Sequence, residues 1–104
     1  MVLYVAKWDI LPDKVEAYTK WVGGANQRQL AVPGVVEFRA YRAAVGTPQQ
    51  VIVTYEFADM AAWAAWWANE DVQKTRNELR LYATGYSDEL WGPSPVIPKP
   101  IRPG

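Results

Sequence analysis

The sequence has no cysteine and no histidine. Without cysteine there can be no disulfide, thiolate metal site, iron–sulfur cluster or cysteine nucleophile. Without histidine the usual ligand for zinc, copper and haem iron is missing, and so is the usual general base near neutral pH. Any chemistry falls to carboxylates, tyrosine, lysine, arginine, asparagine, tryptophan or the substrate itself. Excess charge is missing too: eleven basic residues balance eleven acidic ones with no basic run, so the electrostatic footprint of a nucleic-acid or anionic-membrane binder is absent. No apolar run approaches membrane-spanning length, and the first nine residues, Met-Val-Leu-Tyr-Val-Ala-Lys-Trp-Asp, lack the basic and long apolar regions of a signal peptide. A cytoplasmic protein is expected. With half of its 104 residues hydrophobic and a fifth charged, the chain reads as one globular domain with little spare volume for a deep enclosed site.

Tryptophan, by contrast, is abundant. Three of the six, Trp63, Trp66 and Trp67, fall within five positions of a helix-like stretch. Trp63 and Trp67 are four apart and share a face, while Trp66 is turned about 100° from Trp67. The expectation is that Trp63 and Trp67 fill the gap between helix and sheet. Trp66 then turns toward a pocket rim, a partner subunit or the chain's own end, so that Trp66→Ala would remove ligand binding and leave stability intact.

Residues 2 to 9 are rich in β-branched and aromatic types and predict a strand closed by Leu11-Pro12-Asp13. Asp13 is placed to cap a helix running to about Leu30, with Val15, Tyr18, Trp21, Val22 and Ala25 at three- and four-residue spacing. Gly23-Gly24 within it costs about 1 kcal/mol per glycine and predicts a bend or a close contact. Val32-Pro33-Gly34 opens a second strand over 35–45, Gly46-Thr47-Pro48 turns it, and a third follows over 51–57. Asp59 caps the tryptophan helix, which breaks near Asn69-Glu70-Asp71 and resumes through Val72, Leu79 and Tyr82, and Thr84 to Trp91 supply a fourth strand that Gly85 weakens. The order β-α-β-β-α-β predicts an α+β, ferredoxin-like domain over residues 1–91, an antiparallel sheet with two helices on one face. Residues 92–104 carry five of the eight prolines and predict an extended arm able to dock on a surface, including a partner subunit.

Alternation sorts the strands into two faces. Tyr4, Ala6, Trp8, Val36, Phe38, Ala40, Val51, Val53, Tyr55 and Phe57 make an apolar side for the helices. Val5, Lys7, Asp9, Glu37, Arg39, Tyr41, Ile52, Thr54 and Glu56 make a mixed side suited to a sheet-to-sheet homodimer. There Arg39 with Glu37 and Glu56 reads as a cross-strand ion-pair set.

The first strand ending in Trp8-Asp9-Ile10-Leu11-Pro12-Asp13-Lys14, the step Val32-Pro33-Gly34-Val35, and Tyr55-Glu56-Phe57-Ala58-Asp59 leading into a Trp-rich helix give the chain its resemblance to a known group. It resembles the dimeric α+β barrel superfamily, and within it the antibiotic-biosynthesis-monooxygenase-like branch. The resemblance implies a homodimer through the sheet faces and, in each subunit, a cavity between sheet and helices that takes a small hydrophobic ligand. It implies a cofactor-independent monooxygenase-like enzyme acting on a small planar aromatic or polyketide-like substrate. Lack of histidine sets this chain apart from the haem-degrading relatives. The side-chain types of the cofactor-free enzymes point to Asn69, Arg76 and Tyr82 as catalytic, with Asn69 or Arg76 stabilising an enolate or phenolate. Tyr18, Trp21, Trp63, Trp66 and Trp67 would line the substrate site, with no cofactor and no metal. Other readings are a non-catalytic binding or stress-associated barrel, and a cofactor-free isomerase or cyclase with Glu37 or Glu56 as base. A pocket of roughly 300 Å³ or more reaching a Tyr, Asn or Arg separates an enzyme from a filled core.

Overall fold

The computed structural model describes residues 1–46 and 49–104. Strand β1 (Val2–Ile10) passes through a 3₁₀ turn (Pro12–Lys14) into helix α1 (Val15–Ala31), followed by strands β2 (Val35–Arg42) and β3 (Val51–Phe57), helices α2 (Met60–Trp67) and α3 (Glu70–Leu79), and strand β4 (Ala83–Trp91). The four strands form one antiparallel sheet in the order β2-β3-β1-β4, so the expected ferredoxin-like α+β architecture is present, with the second helix divided in two. No helix among the described residues is long and apolar enough to cross a membrane.

The division of the second helix follows from two side-chain caps. Asp59 accepts from the Ala62 amide (2.8 Å) to start α2, and Asn69 accepts from the Asp71 amide (2.8 Å) to start α3. Each satisfies a backbone donor that a helix start leaves free. Asp13 does not cap α1. It lies inside the 3₁₀ turn, and Lys14 holds the N-cap position with no side-chain bond. Nor do Gly23 and Gly24 bring anything close: α1 runs through them unbroken, and a Cβ on either would meet nothing within 4 Å. Gly34 is different. Its φ of 126° is a backbone conformation that other residues rarely adopt, so the step into β2 requires glycine, although a Cβ there would make only ordinary contact with the Ala62 carbonyl oxygen (3.4 Å) and the Phe57 ring (3.7 Å). Gly85 (φ 63°) lets β4 continue opposite the register shift between Lys7 and Asp9.

The helix-facing side of the sheet follows the expected alternation in β1 and β3. The core is centred on Phe57, Trp66 and Val72, all at 1 % exposure or less. Strand β2 departs from it. A register shift between Val35 and Glu37 pairs Val35 with Phe57 and leaves Val36 57 % exposed, so Val35, and not Val36, joins Phe38 beneath the helices. The strand also ends at Arg42, short of Val45. The Ala43 amide bonds to the Gln50 carbonyl (2.8 Å) across the connection, while Thr47 and Pro48 of the expected turn lie outside the described residues.

The tryptophan helix reverses the expected assignment. Trp66 is 1 % exposed, whereas Trp63 and Trp67 are only partly buried and stack on each other, 5.7 Å apart at 19°. The cause lies in the sheet beneath. The rings of Tyr55 (4.9 Å), Phe57 (5.2 Å) and Tyr4 (6.0 Å) form a socket that takes one indole, and the Trp66 Nε1 donates to the Gln29 carbonyl of α1 at 3.0 Å. An indole with a buried partner for its N–H occupies the centre, and its two neighbours flank it.

On the opposite side of the sheet lie Leu3, Val5 and Lys7, Glu37, Arg39 and Tyr41, Ile52, Thr54 and Glu56, and Glu89 and Trp91. Lys7 pairs with Glu89 (3.0 Å), and Arg39 with Glu37 on its own strand (2.7 Å). Residues 92–104 contain no helix or strand. Ser94 Oγ accepts from the Val96 and Ile97 amides (3.2 and 3.1 Å), turning the arm so that Ile97 and Ile101 face Met1, Leu3 and Trp91 across an open groove.

Candidate functional site

Between the sheet and helices α1 and α3 lies a cavity of about 40 Å³. Its floor is Tyr4, Ala6 and Trp8 of β1 with Val53 and Tyr55 of β3. Trp21, Ala25 and Asn26 of α1 close one side, and Trp66, Trp67, Thr75 and Arg76 the other. The cavity reaches Tyr, Asn and Arg side chains but falls well short of the roughly 300 Å³ expected of a preformed enzyme pocket, and holds two or three water-sized groups.

Strand pairing puts the polar end together. Ala6 lies opposite Asp88 and Tyr4 opposite Leu90, so Tyr86 and Asp88, two apart on β4, both point to the helix side beside Tyr4. The Tyr4 hydroxyl donates to Asp88 Oδ2 (2.8 Å) and lies 2.8 Å from the Tyr86 hydroxyl, whose own distance to Asp88 Oδ2 is 3.3 Å. Arg76 completes the cluster from α3. Its guanidinium carbon is 5.1 Å from the centres of both the Trp67 and Tyr86 rings, and Nη2 is 4.0 Å from Asp88 Oδ2. Burial, with the Tyr86 and Asp88 neighbours adding to it, pushes the Tyr4 hydroxyl far up. Burial likewise raises Tyr86, with Tyr4 and Arg76 acting against it. Both phenols therefore stay protonated near neutral pH and act as donors or proton carriers, not as standing phenolates. For Arg76, burial disfavours the charge, but Tyr86, Tyr4 and Asp88 more than offset it, and the guanidinium is held charged.

Three buried polar atoms on the cavity wall, Trp8 Nε1, Thr75 Oγ1 and Arg76 Nε, have no hydrogen-bond partner among the described residues. Buried donors left unpaired are costly and mark places where water or a ligand supplies the partner. Behind the cavity, Trp21 is fixed by Nε1 donating to Glu78 Oε1 (2.9 Å), and Arg28 Nη1 reaches the other oxygen (3.3 Å). Arg28 and then Trp21 hold the Glu78 carboxyl down at about 2, so this clip between α1 and α3 is charged at neutral pH.

Of the residues expected at the site, Trp21, Trp66, Trp67 and Arg76 line the cavity. Four others do not. Asn69 spends its side chain capping α3. Tyr82 packs behind Trp21, ring centres 5.0 Å apart, and Tyr18 also lies against Trp21 (6.2 Å). Trp63 covers the outer side of Trp67. Glu37 and Glu56, the alternative bases, pair across β2 and β3 on the far side of the sheet and cannot reach the cavity. Sequence reasoning missed Tyr4, Tyr86 and Asp88. Among the described residues, no group of three or more His, Cys, Asp or Glu side chains is arranged to hold a metal.

The sequence model of the antibiotic biosynthesis monooxygenase family matches residues 1–78. The chain belongs to that family. The matched stretch contains Tyr4, Trp66, Trp67 and Arg76, while Tyr86 and Asp88 lie beyond it. Among solved structures, a dabb family protein with a ferredoxin-like fold from Mesorhizobium loti superposes with a TM-score of 0.77 at 16% identity, covering 89% of this chain and 96% of its own. HapK from Hahella chejuensis gives 0.73 at 17% identity over the whole of both chains. SnoaB, a cofactor-independent oxygenase from Streptomyces nogalater, gives 0.70 at 15% identity, covering 94% of this chain and 97% of its own. At such identities these likenesses establish the fold. No curated protein sequence matches this family member.

Proposed function

We propose that this member of the family is a cofactor-independent monooxygenase of a small planar aromatic or polyketide-like substrate, with the cavity as its active site. The observation that carries the reading is the Tyr4–Tyr86–Asp88 cluster beside Arg76, at the polar end of an aromatic-walled cavity. In the reaction, an acidic proton of the substrate passes to the Tyr86 oxygen as the Tyr86 proton passes to Asp88, a relay that leaves the tyrosine neutral and the substrate as its anion. Arg76 faces the anion and lowers its energy. The anion's carbon bonds to dioxygen, and Asp88 returns its proton to the peroxide. The hydrogen remaining on that carbon then leaves as a proton while the O–O bond breaks, the departing hydroxide takes up that proton as water, and one oxygen atom stays on the carbon as a new carbonyl. Trp67, partly exposed, is the wall that yields as the substrate enters a cavity smaller than itself.

The small cavity favours a second reading, a binding barrel without catalysis. Bicyclic and tricyclic phenols screened with an oxygen electrode and by quenching of tryptophan fluorescence separate the two. Quenching accompanied by oxygen uptake equal to substrate loss supports the oxygenase, and quenching with no uptake selects the binding protein.

The same reading seats two chains sheet to sheet through the outer face, where Tyr41 and Trp91 are 50 % and 56 % exposed beside Leu3 and Ile52. Sedimentation at micromolar concentration is expected to give the dimer mass, and a monomer overturns the pairing.

A further inference from the structure

A second cavity of about 20 Å³ adjoins the first, between the end of α3 and the start of β4. Arg76, Leu79 and Tyr86 belong to both walls, and Arg80 and Ala83 complete the smaller one. Arg76 and Arg80 stand four apart on α3 and its C-cap, so both guanidiniums project to the same side. Their charges are not balanced. Asp88 stands 4.0 Å from Arg76, whereas Arg80 has no carboxylate within ion-pair distance among the described residues. Glu78, the nearest acid along the helix, is taken by Arg28 and Trp21. One positive charge therefore stands without a carboxylate partner beside a cavity that shares Arg76, Leu79 and Tyr86 with the first, and Arg76 Nε is a buried donor without a partner among the described residues.

We infer that the substrate carries a carboxylate, seated in this second cavity between Arg76 and Arg80 while its ring occupies the first. The inference rests on the proposed oxygenase site. The cavity holds one or two water-sized groups, the size of a carboxylate's two oxygens. Guanidiniums are matched to carboxylates by their flat, forked donors. A carboxylate there gives Arg76 an acceptor besides Asp88, supplies the counter-charge that Arg80 lacks, and fixes the ring's register against the Tyr4–Tyr86–Asp88 cluster. Arg80 thereby becomes a specificity residue with no part in the proton relay.

The probes are 2-naphthol and 6-hydroxy-2-naphthoate, which share a ring and a phenol and differ by a carboxylate ionised at pH 7. Titration calorimetry on the full chain at low salt is expected to show the naphthoate binding about tenfold more tightly, the factor for one charge-assisted hydrogen bond. In Arg80→Gln the ratio should fall to about twofold or less, with the naphthol affinity and the melting temperature unchanged, because Arg80 is exposed. Naphthol binding with no preference for the naphthoate, or a preference that survives in Arg80→Gln, overturns the carboxylate site and leaves the oxygenase reading standing. Failure of both probes to bind overturns the two together.

Discussion

Trp66→Ala is expected to lose about 3–5 kcal/mol of folding stability, the cost of truncating a fully buried large aromatic. The indole is the centre of the interface between α2 and the sheet, with Tyr55, Phe57, Tyr4 and Trp67 around it at 4.9–6.4 Å between ring centres. Truncation removes those contacts and strands the Gln29 carbonyl, which accepts the Nε1 proton at 3.0 Å. In a domain of this size, whose whole stability is of the order of 5–15 kcal/mol, that is a large share. Urea unfolding followed by far-ultraviolet circular dichroism reads the loss directly, and a change under about 1 kcal/mol would show that another group refills the socket. A second consequence concerns assays. Loss of ligand binding in this variant does not isolate a ligand contact, because Trp66 is itself part of the cavity wall and its removal disturbs the packing that holds that wall in place. Trp67, partly exposed on the same wall, is the tryptophan whose substitution tests ligand contact.

How far such placements can be read in advance depends on what fixes them. The caps Asp59 and Asn69 and the break between α2 and α3 are local, set by side chains two or three residues from their partners, and the sequence shows them. The alternation of β3 is local as well, and every odd position from Val51 to Phe57 is buried. Bulges are not local. Nothing in Val35-Val36-Glu37 says which valine turns inward, because the shift is settled against β3. Nor does α2 announce its own orientation. Eight residues with three indoles and four alanines present a large side chain on every flank, and the choice of Trp66 is made by a socket that β1, β3 and α1 build together. The Tyr4–Tyr86–Asp88 cluster is the extreme case. Tyr4 lies 82 residues from Tyr86 and 84 from Asp88, and only the pairing of the first strand with the last brings them together. Tyr86, Asp88 and Leu90 do alternate inward along β4, and an acidic residue on the apolar side of a strand was the one signal the sequence held.

Asp88→Asn is expected to lower kcat for oxygen consumption by about a hundredfold or more, the range for removing a general base, with Kd for the substrate little changed. The asparagine side-chain oxygen can still accept from Tyr4, so the hydrogen bond that orders the cluster survives and only the capacity to take a proton is lost. That separates chemistry from architecture, since a purely structural Asp88 would cost stability without changing turnover per folded molecule. The two tyrosines supply the matching cycle. Tyr4→Phe and Tyr86→Phe each leave one hydroxyl within hydrogen-bond reach of Asp88 Oδ2, at 3.3 and 2.8 Å, so each single variant retains a route for the proton. The double variant has none and should fall to the level of Asp88→Asn, with far less than additive effects when either phenylalanine is combined with the asparagine. Full additivity of Asp88→Asn with the double substitution would mean that the carboxylate and the phenols act separately, and would sink the relay. Unchanged turnover in Asp88→Asn would place the base elsewhere, leaving the substrate's own acidity, with Arg76 facing the anion, as the source of its reactivity toward oxygen.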